Sequence, residues 1–334
     1  MTIYTPLSLL KAQEVLACFP IDAPKKITPL TGGTTNSNYR IHTNSNDYVF
    51  TILEPKEEAE QIPWLEKYLN YLSCENIPVP TLIKTQNKHP SINFERKTAI
   101  LTNFFRGTEA SPSPLSCLKA GETLAKMNML SENYPHQAPS PWGVSGLLEK
   151  RRHIEDHLLN QEEMTALEIF DSEIKAHDVQ NLTSLPHGVI HSDLFPDNLL
   201  FQETHITAVI DFYKAGRDAL AYDLAMGLMA WGFDDSGVFN RENFKSFYGG
   251  YTSVRPLTND EFKALPQLAS RACATIILMR ILQAQKLKKY QKNGHVSQKS
   301  VITSANALGA RSPTAYLMRL NFLKNNQFMN LLND

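Results

Sequence analysis

The stretch VIHSDLFPDNLLF, Val189 to Phe201, places His191, Asp193, Asp197 and Asn198 between two apolar runs. Burying a carboxylate is costly unless something pairs with it. Either these groups cap and solvate a loop, or the apolar flanks anchor a loop that holds polar side chains at a fixed separation. Val189–Ile190 and Leu199–Phe201 can act as the two anchors. A third acid, Asp211, follows another β-like run in AVIDFY. The three polar positions together favour the second reading.

In full, the pattern is H-x-D-x-x-x-x-N, twelve residues, then D-F. This is the spacing of a kinase catalytic loop followed by a metal-binding aspartate. The chemistry accounts for the residue types. A phosphoryl donor such as ATP needs its charge neutralised by Mg²⁺, which takes oxygen ligands in octahedral geometry, few of them from protein. Asn198 and Asp211 suit that role. The acceptor hydroxyl needs a group to orient it and take its proton, and Asp193 fits. His191 is read as fixing the loop through a hydrogen bond to backbone, and Asp197 as solvent-facing or loop-pairing.

Toward the N-terminus, TGGTTNSNYR (31–40) is the candidate phosphate cover. Gly32 and Gly33 let backbone N–H groups approach an anion, and Thr34, Thr35 and Asn36 add donors. The β-rich runs YRIHT (39–43) and YVFTIL (48–53) are joined by NSND, which reads as a hairpin turn. Ile62, Leu65, Leu69 and Leu72 recur at helical spacing, with Pro63 expected in the first turn. TAILTNFF (98–105) reads as a further strand. Beyond GTEASPSP (107–114) the pattern turns mostly helical, with candidates at 115–130, 149–160, 162–177, 219–233 and 261–291. The expected architecture is α+β and bilobal, with a small β-rich N-terminal lobe, 1–105, and a larger helical lobe, 106–334.

The bulk properties narrow the function classes. The 334 residues carry Lys+Arg 33 against Asp+Glu 34, a formal net charge of -1, which gives no reason to expect nucleic acid or an anionic membrane as partner. The basic stretch QKLKKYQKNGH (285–295) reads as a solvated helix end. Cys18, Cys74, Cys117 and Cys273 are far apart and form no C-x-x-C pair, so buried thiols in a reducing cytoplasm are expected. The N-terminus lacks the basic and apolar regions of a signal peptide, and TPLSLLKAQEVLACF reads as a capped amphipathic helix. The apolar run at 219–233 is too short to span a bilayer.

With these pieces in place, VIHSDLFPDNLLF, AVIDFY and AYDLA resemble the aminoglycoside-phosphotransferase-like kinases, which share the protein-kinase fold. GGTTNSNYRI, YVFTILE, VIDFYKAGRDALAYDLAMGLMAWGFDDSG and GGYTSVRPLTNDEFKALP extend the likeness over nearly the whole chain, and within that superfamily are similar to the homoserine kinases of threonine biosynthesis. The resemblance implies ATP and Mg²⁺ as cofactors and L-homoserine as acceptor. It implies Asp193 as catalytic base, Asn198 and Asp211 as Mg²⁺ ligands, and Asp223 as the acid that holds the catalytic-loop backbone. The backbone near Thr102–Phe104 would meet adenine.

Some positions depart from the wider kinase pattern. Thr51 stands where most kinases carry a phosphate-binding lysine, which makes it a nucleotide-site position and Lys56 a candidate substitute. Gly216–Arg217 and Met229 differ from the residues expected there, and Asn128 stands where a histidine is common. Tyr213, Arg217 and Trp231 are the leading acceptor-site candidates, with Asp218, Asp234 and Arg271 of suitable type. The segment 292–314 receives no role, and the oligomeric state is left open. Two other readings remain: a kinase of another amino alcohol or an aminoglycoside, and a kinase-like binding module without catalysis. The intact Asp193, Asn198 and Asp211 argue against the last.

Overall fold

The computed structural model describes residues 5–30, 35–136, 138–178, 182–292, 313–324 and 327–333. Contacts divide the chain into two units: residues up to Thr108 with Leu200–Tyr213, and Glu109–Leu199 with Lys214 onward.

The first unit begins with helix α1 (Leu9–Leu16), capped by Ser8, whose hydroxyl accepts from the Lys11 amide. A five-stranded antiparallel sheet follows. Its strands are β1 (Lys26–Pro29), β2 (Ser37–His42), β3 (Asp47–Leu53), β4 (Ile92–Phe94) and β5 (Lys97–Asn103), in the order β1-β2-β3-β5-β4. Alternation sets its faces: Ser37, Tyr39 and Ile41 are buried along β2 while their neighbours are half-buried. Tyr39 and Ile41 meet Phe50, Phe94 and Leu101 in one core, closed by Leu16 and Phe19 at the end of α1. The end of β3 is tied by Glu54, whose carboxylate accepts from the hydroxyls of Thr5 and Ser37 and pairs with Lys97.

Helix α2 (Lys56–Cys74) corrects the expected place of Pro63. The helix starts earlier, with Glu57 and Glu58 in its first turn, where acids favour the helix N-terminus. Pro63 therefore lies inside the helix, on its exposed side, where water can reach the carbonyl that the missing N–H leaves unpaired. The unit is completed by Leu200–Gln202 of β8 (Leu199–Gln202) and by β9 (His205–Val209), neighbours in a small sheet. The chain passes between the units at β6 (Thr108–Glu109).

In the second unit, β7 (His187–Ile190) pairs antiparallel with β10 (Gly216–Ala219), with Ile190 opposite Gly216. Around this ladder stand α3 (Pro114–Glu132), α4 (Val144–Arg152), α5 (Gln161–Asp178), α6 (Leu220–Trp231), α7 (Arg241–Val254) and α8 (Asn259–Lys292), followed by Thr314–Lys324 and Gln327–Asn333. Ser113 and Ser116 form a reciprocal capping box on α3. The expected helix at 149–160 is shorter and earlier; it ends at Arg152, and a single 3₁₀ turn follows at Asp156–Leu158. Helix α7 was not anticipated from sequence. Helix α8 is long and apolar enough over Asn259–Lys286 to cross a membrane, but 67% of its most apolar window is buried inside the protein, where it packs on α5 and α6. All four cysteines are free; Cys117 and Cys273 are buried as expected, whereas Cys18 and Cys74 are exposed, Cys74 because it ends α2.

Helix α6 is buried at every residue. It depends on the crossing of α3 with α7, which two glycines permit. A Cβ on Gly121 would stand 2.2 Å from the Phe247 carbonyl oxygen, and one on Gly250 would stand 2.2 Å from that of Leu118. Both obstacles are backbone, so the helices must move apart. Gly250→Ala is expected to destabilise the protein by at least about 1–3 kcal/mol, as overpacking does. Gly249→Ala, next to it, meets nothing within 4 Å and should be neutral or stabilising by up to about 1 kcal/mol through helix propensity. Urea midpoints of the two variants check the contrast.

Candidate active site

The loop after β7 is held by a buried acid. Asp223, in the first turn of α6, accepts from the backbone N–H of His191 and from that of Ser192, both at 2.9 Å. Ser192 has φ +65, in the left-handed region that non-glycine residues seldom occupy, and it is completely buried. Such a residue persists only where its surroundings fix it, and the two bonds to Asp223 do so. Burial pushes the Asp223 carboxyl up to about 7, with the two backbone N–H groups pulling the other way.

The rest of the loop follows from this clamp. His191 is buried, and its Nδ1 accepts from the Asp193 amide at 3.2 Å. The ring thus shapes the turn that presents Asp193. The Phe195 amide donates to the Asp193 carbonyl at 2.7 Å, and Pro196–Asn198 form one 3₁₀ turn. Asn198 points its amide nitrogen back, donating to the Asp193 carbonyl at 2.8 Å and to Asp193 Oδ2 at 3.2 Å. At the other end of α6, Trp231 donates its indole N–H to the Leu194 carbonyl at 2.8 Å. The Trp231 ring stacks on Phe247 of α7, with centroids 6.0 Å apart. Trp231 is therefore a buried support of the loop.

A contact without a sequence signal completes this cluster: Lys214 Nζ lies 2.5 Å from Asp193 Oδ2. The Asp193 side chain is 8% exposed and that of Lys214 26%. The two residues are 21 apart in the chain, so no local spacing links them.

The first unit holds the other candidates. Asp211 follows β9, whose last residue, Val209, donates its amide to the Pro78 carbonyl at 2.8 Å. Asp211 has φ +66, and its neighbour Phe212 packs edge-on against Tyr68 of α2, with centroids 6.4 Å apart. Thr51 donates to Asn38 Oδ1 at 2.8 Å and bonds with the Tyr213 phenol. Burial raises the Tyr213 pKa, and the carboxylates of Glu58 and Asp211 push it the same way. Asn36 donates to Glu58 Oε2 at 2.7 Å and accepts from the Glu54 amide at 3.0 Å. Thr102 is buried in β5, and Phe104 lies beneath the Arg40 guanidinium, 4.0 Å from its ring centroid. Lys56 is solvent-exposed on α2 and pairs with Glu60 at 3.5 Å. Gly32, Gly33 and Thr34 lie outside the described residues, as does 293–312 of the unassigned segment.

Among the acceptor candidates, Arg217 is exposed on β10. Asp218 and Arg271 pair with each other in the interior, and Arg271 stacks 3.8 Å from the centroid of the Tyr222 ring. Asp234 caps its own turn, accepting from Ser236 and Val238. Among the described residues, no three or more His, Cys, Asp or Glu side chains form a group that could hold a metal by themselves. Mg²⁺ takes few protein ligands and can be held by a single carboxylate with an amide oxygen.

The model of the phosphotransferase enzyme family matches residues 26–257. The chain belongs to this family. A homoserine kinase of Gluconobacter oxydans (strain 621H) is 31% identical over 330 residues, covering 96% of this chain and 97% of that protein. One from Caulobacter vibrioides (strain NA1000 / CB15N) is 32% identical, covering 84% of this chain and 89% of that protein. In solved structures the fold is shared with a spectinomycin phosphotransferase in complex with ADP and spectinomycin (TM-score 0.63, 12% identity, 95% of this chain and 100% of that one). It is shared also with a Plasmodium vivax ethanolamine kinase (TM-score 0.62, 16% identity, 97% and 89%). The α+β kinase-like architecture and the resemblance to homoserine kinases are thus borne out. The protein is a small-molecule phosphotransferase.

Asp223→Ala should cost about 2–6 kcal/mol, since it leaves two buried N–H groups without an acceptor at about 1–3 kcal/mol each. Asp223→Asn keeps one acceptor oxygen and should lose about half as much. Denaturant titration of both variants measures the order.

Proposed function

We propose that the protein transfers the γ-phosphoryl group of ATP to the hydroxyl of L-homoserine, giving O-phospho-L-homoserine. The observation that carries this reading is the buried Asp193 carboxylate on a loop clamped by Asp223, in a chain whose homoserine kinase relatives align over nearly its full length. The likeness at 31–32% identity to those relatives bears on the acceptor; the likeness at 12–16% to spectinomycin and ethanolamine kinases bears on the fold alone.

In this reading Asp193 accepts hydrogen bonding from the acceptor hydroxyl, orients it and takes its proton as the new O–P bond forms. Asn198 turns its amide nitrogen toward Asp193, which leaves its oxygen suited to a hard cation. Asn198 and Asp211 would hold Mg²⁺, and the ion supplies charge neutralisation to the triphosphate. The stretch Gly32, Gly33, Thr34 and Asn36 would cover the phosphates, Thr51 would belong to the nucleotide site, and the backbone at Thr102 and Phe104 would meet the adenine. Tyr213, Arg217 and Trp231 remain the acceptor-site candidates; the bond from Trp231 to Leu194 favours an indirect role for the indole. Free thiols at all four cysteines suit the reducing cytoplasm.

Coupled ADP release tests the substrate. L-Homoserine should react fast. L-Serine, one methylene shorter, should react poorly, and ethanolamine and spectinomycin, which lack the amino-acid carboxylate, should be rejected by about 10⁴-fold. Faster ADP release with spectinomycin or ethanolamine overturns the acceptor assignment. Asp193→Asn should fold and bind nucleotide yet lose at least about a hundredfold in turnover. Asn198→Ala should raise the Mg²⁺ requirement more than the KM for L-homoserine; superimposable Mg²⁺ titrations of this variant and the wild type would remove Asn198 from the metal site.

A further inference from the structure

We infer that Lys214 is a catalytic residue that carries the positive charge for the transferring phosphoryl group and keeps Asp193 oriented between turnovers. The inference rests on the phosphoryl-transfer reading above. Its first support is the contact itself: a lysine ammonium 2.5 Å from Oδ2 of the proposed base, with the Asn198 amide on the same oxygen. The second is what the pairing costs. Drawing Lys214 and a nearly buried carboxylate out of water brings a desolvation penalty that the ion pair does not reliably repay, so stability alone gives weak reason to keep it.

The third support is the state of the β3 strand. Thr51 bonds Asn38 and the Tyr213 phenol, and Lys56 lies exposed beside Glu60, so neither places a buried cation on this strand. Phosphoryl transfer nonetheless requires fixed positive charge where negative charge develops on the equatorial oxygens. Lys214 is already at the atom that receives the hydroxyl proton, and therefore within a side chain's reach of the phosphorus under attack.

The balance of the step is simple. The acceptor oxygen forms a bond to the γ-phosphorus, and the bond from that phosphorus to the β–γ bridging oxygen breaks. The hydroxyl proton passes to the Asp193 carboxylate, and ADP departs with the bridging oxygen. Lys214 stays protonated throughout. Its Nζ–H groups turn from Asp193 to the γ-phosphoryl oxygens as the nucleotide binds, which also releases the carboxylate to act as a base. Lysine suits this exchange because its three donors sit on a flexible stem.

Two measurements on Lys214→Met and Lys214→Arg test the inference. In the first, calorimetric titration compares a non-hydrolysable ATP analogue with ADP, each with Mg²⁺ and no acceptor present. Lys214→Met should weaken the triphosphate about tenfold and leave ADP unchanged, and Lys214→Arg should restore most of the loss. Equal effects on both nucleotides, or none on either, overturn the inference. This comparison involves no acceptor, so it stands or falls apart from the choice of L-homoserine; failure of the wild type to bind either nucleotide overturns both proposals. The second measurement is turnover with the best acceptor found. Lys214→Met should lower kcat by about 10²-fold or more, with the acceptor KM held within about threefold. A wild-type kcat, or a change confined to KM, shows the lysine to be only a structural partner of Asp193.

Discussion

The carboxylate of Asp223 on two successive backbone amides is the interaction on which the rest of the site depends. It fixes His191 and Ser192, and with them the left-handed backbone at Ser192 that turns the chain toward Asp193. A carboxylate can do this only if it does not move. Helix α6 supplies that rigidity by being buried along its whole length and by gripping the loop again through Trp231 at its far end. The helix in turn rests on Phe247, whose ring lies where any Cβ on Gly227 would stand 2.3 Å from it. Phe247 belongs to a helix that can approach α3 only because Gly121 and Gly250 have no side chains. The geometry around one aspartate is thus traceable to glycines in a helix crossing far along the chain.

The second unit also spends several buried charges, and each serves placement. Arg271 and Asp218 pair at the start of α6, and Arg255 pairs with Glu261 where Thr258 and Glu261 cap α8. Arg319 reaches from the helix Thr314–Lys324 to the carbonyl of Met229, in the last turn of α6, and to that of Asp234 just beyond it. Replacing such pairs with apolar residues is often neutral for stability. What they add is register: each fixes an end of α6, which holds the loop of Asp193, or the start of α8, which packs on α6.

How much of this was legible in the sequence follows from where the chemistry is local. The meeting of Asp193 and Asn198 was legible from the H-x-D-x-x-x-x-N spacing because both side chains belong to one short loop between apolar anchors. The β2–β3 hairpin was legible from alternation and its turn. Helix α7 was not, because RENFKSFYGGYTSV combines two glycines, aromatic residues and β-branched residues that lower helix propensity, and its stability comes from packing on α3. Pro63 was misplaced for a related reason: propensity forbids it inside a helix, and the exposed side of α2 tolerates it. Lys214 gave no signal at all. In DFYKAG it looks like an ordinary loop lysine, and only folding brings it to Asp193.

If Lys214 carries the phosphate charge as proposed, its position accounts for a β3 strand without a lysine. A strand lysine neutralises phosphate from one element while the base acts from another, so the two must be brought into register for each turnover. Here the β3 position is filled by a neutral network of Thr51, Asn38 and Tyr213, and a lysine stands beside the proposed base, Asp193. Lys214 and Asp193 come from segments 21 residues apart, and their pairing joins those segments where the loop clamped by Asp223 presents the carboxylate. On that proposal the pair keeps the ammonium beside Asp193 when nucleotide is absent, and the nearly buried carboxylate is not left unpaired. The proposed arrangement has a cost: Asp193 would be masked until phosphate draws the lysine away. That cost would also couple the two substrates, since Asp193 would become available to the acceptor hydroxyl only when a triphosphate is there to receive the ammonium.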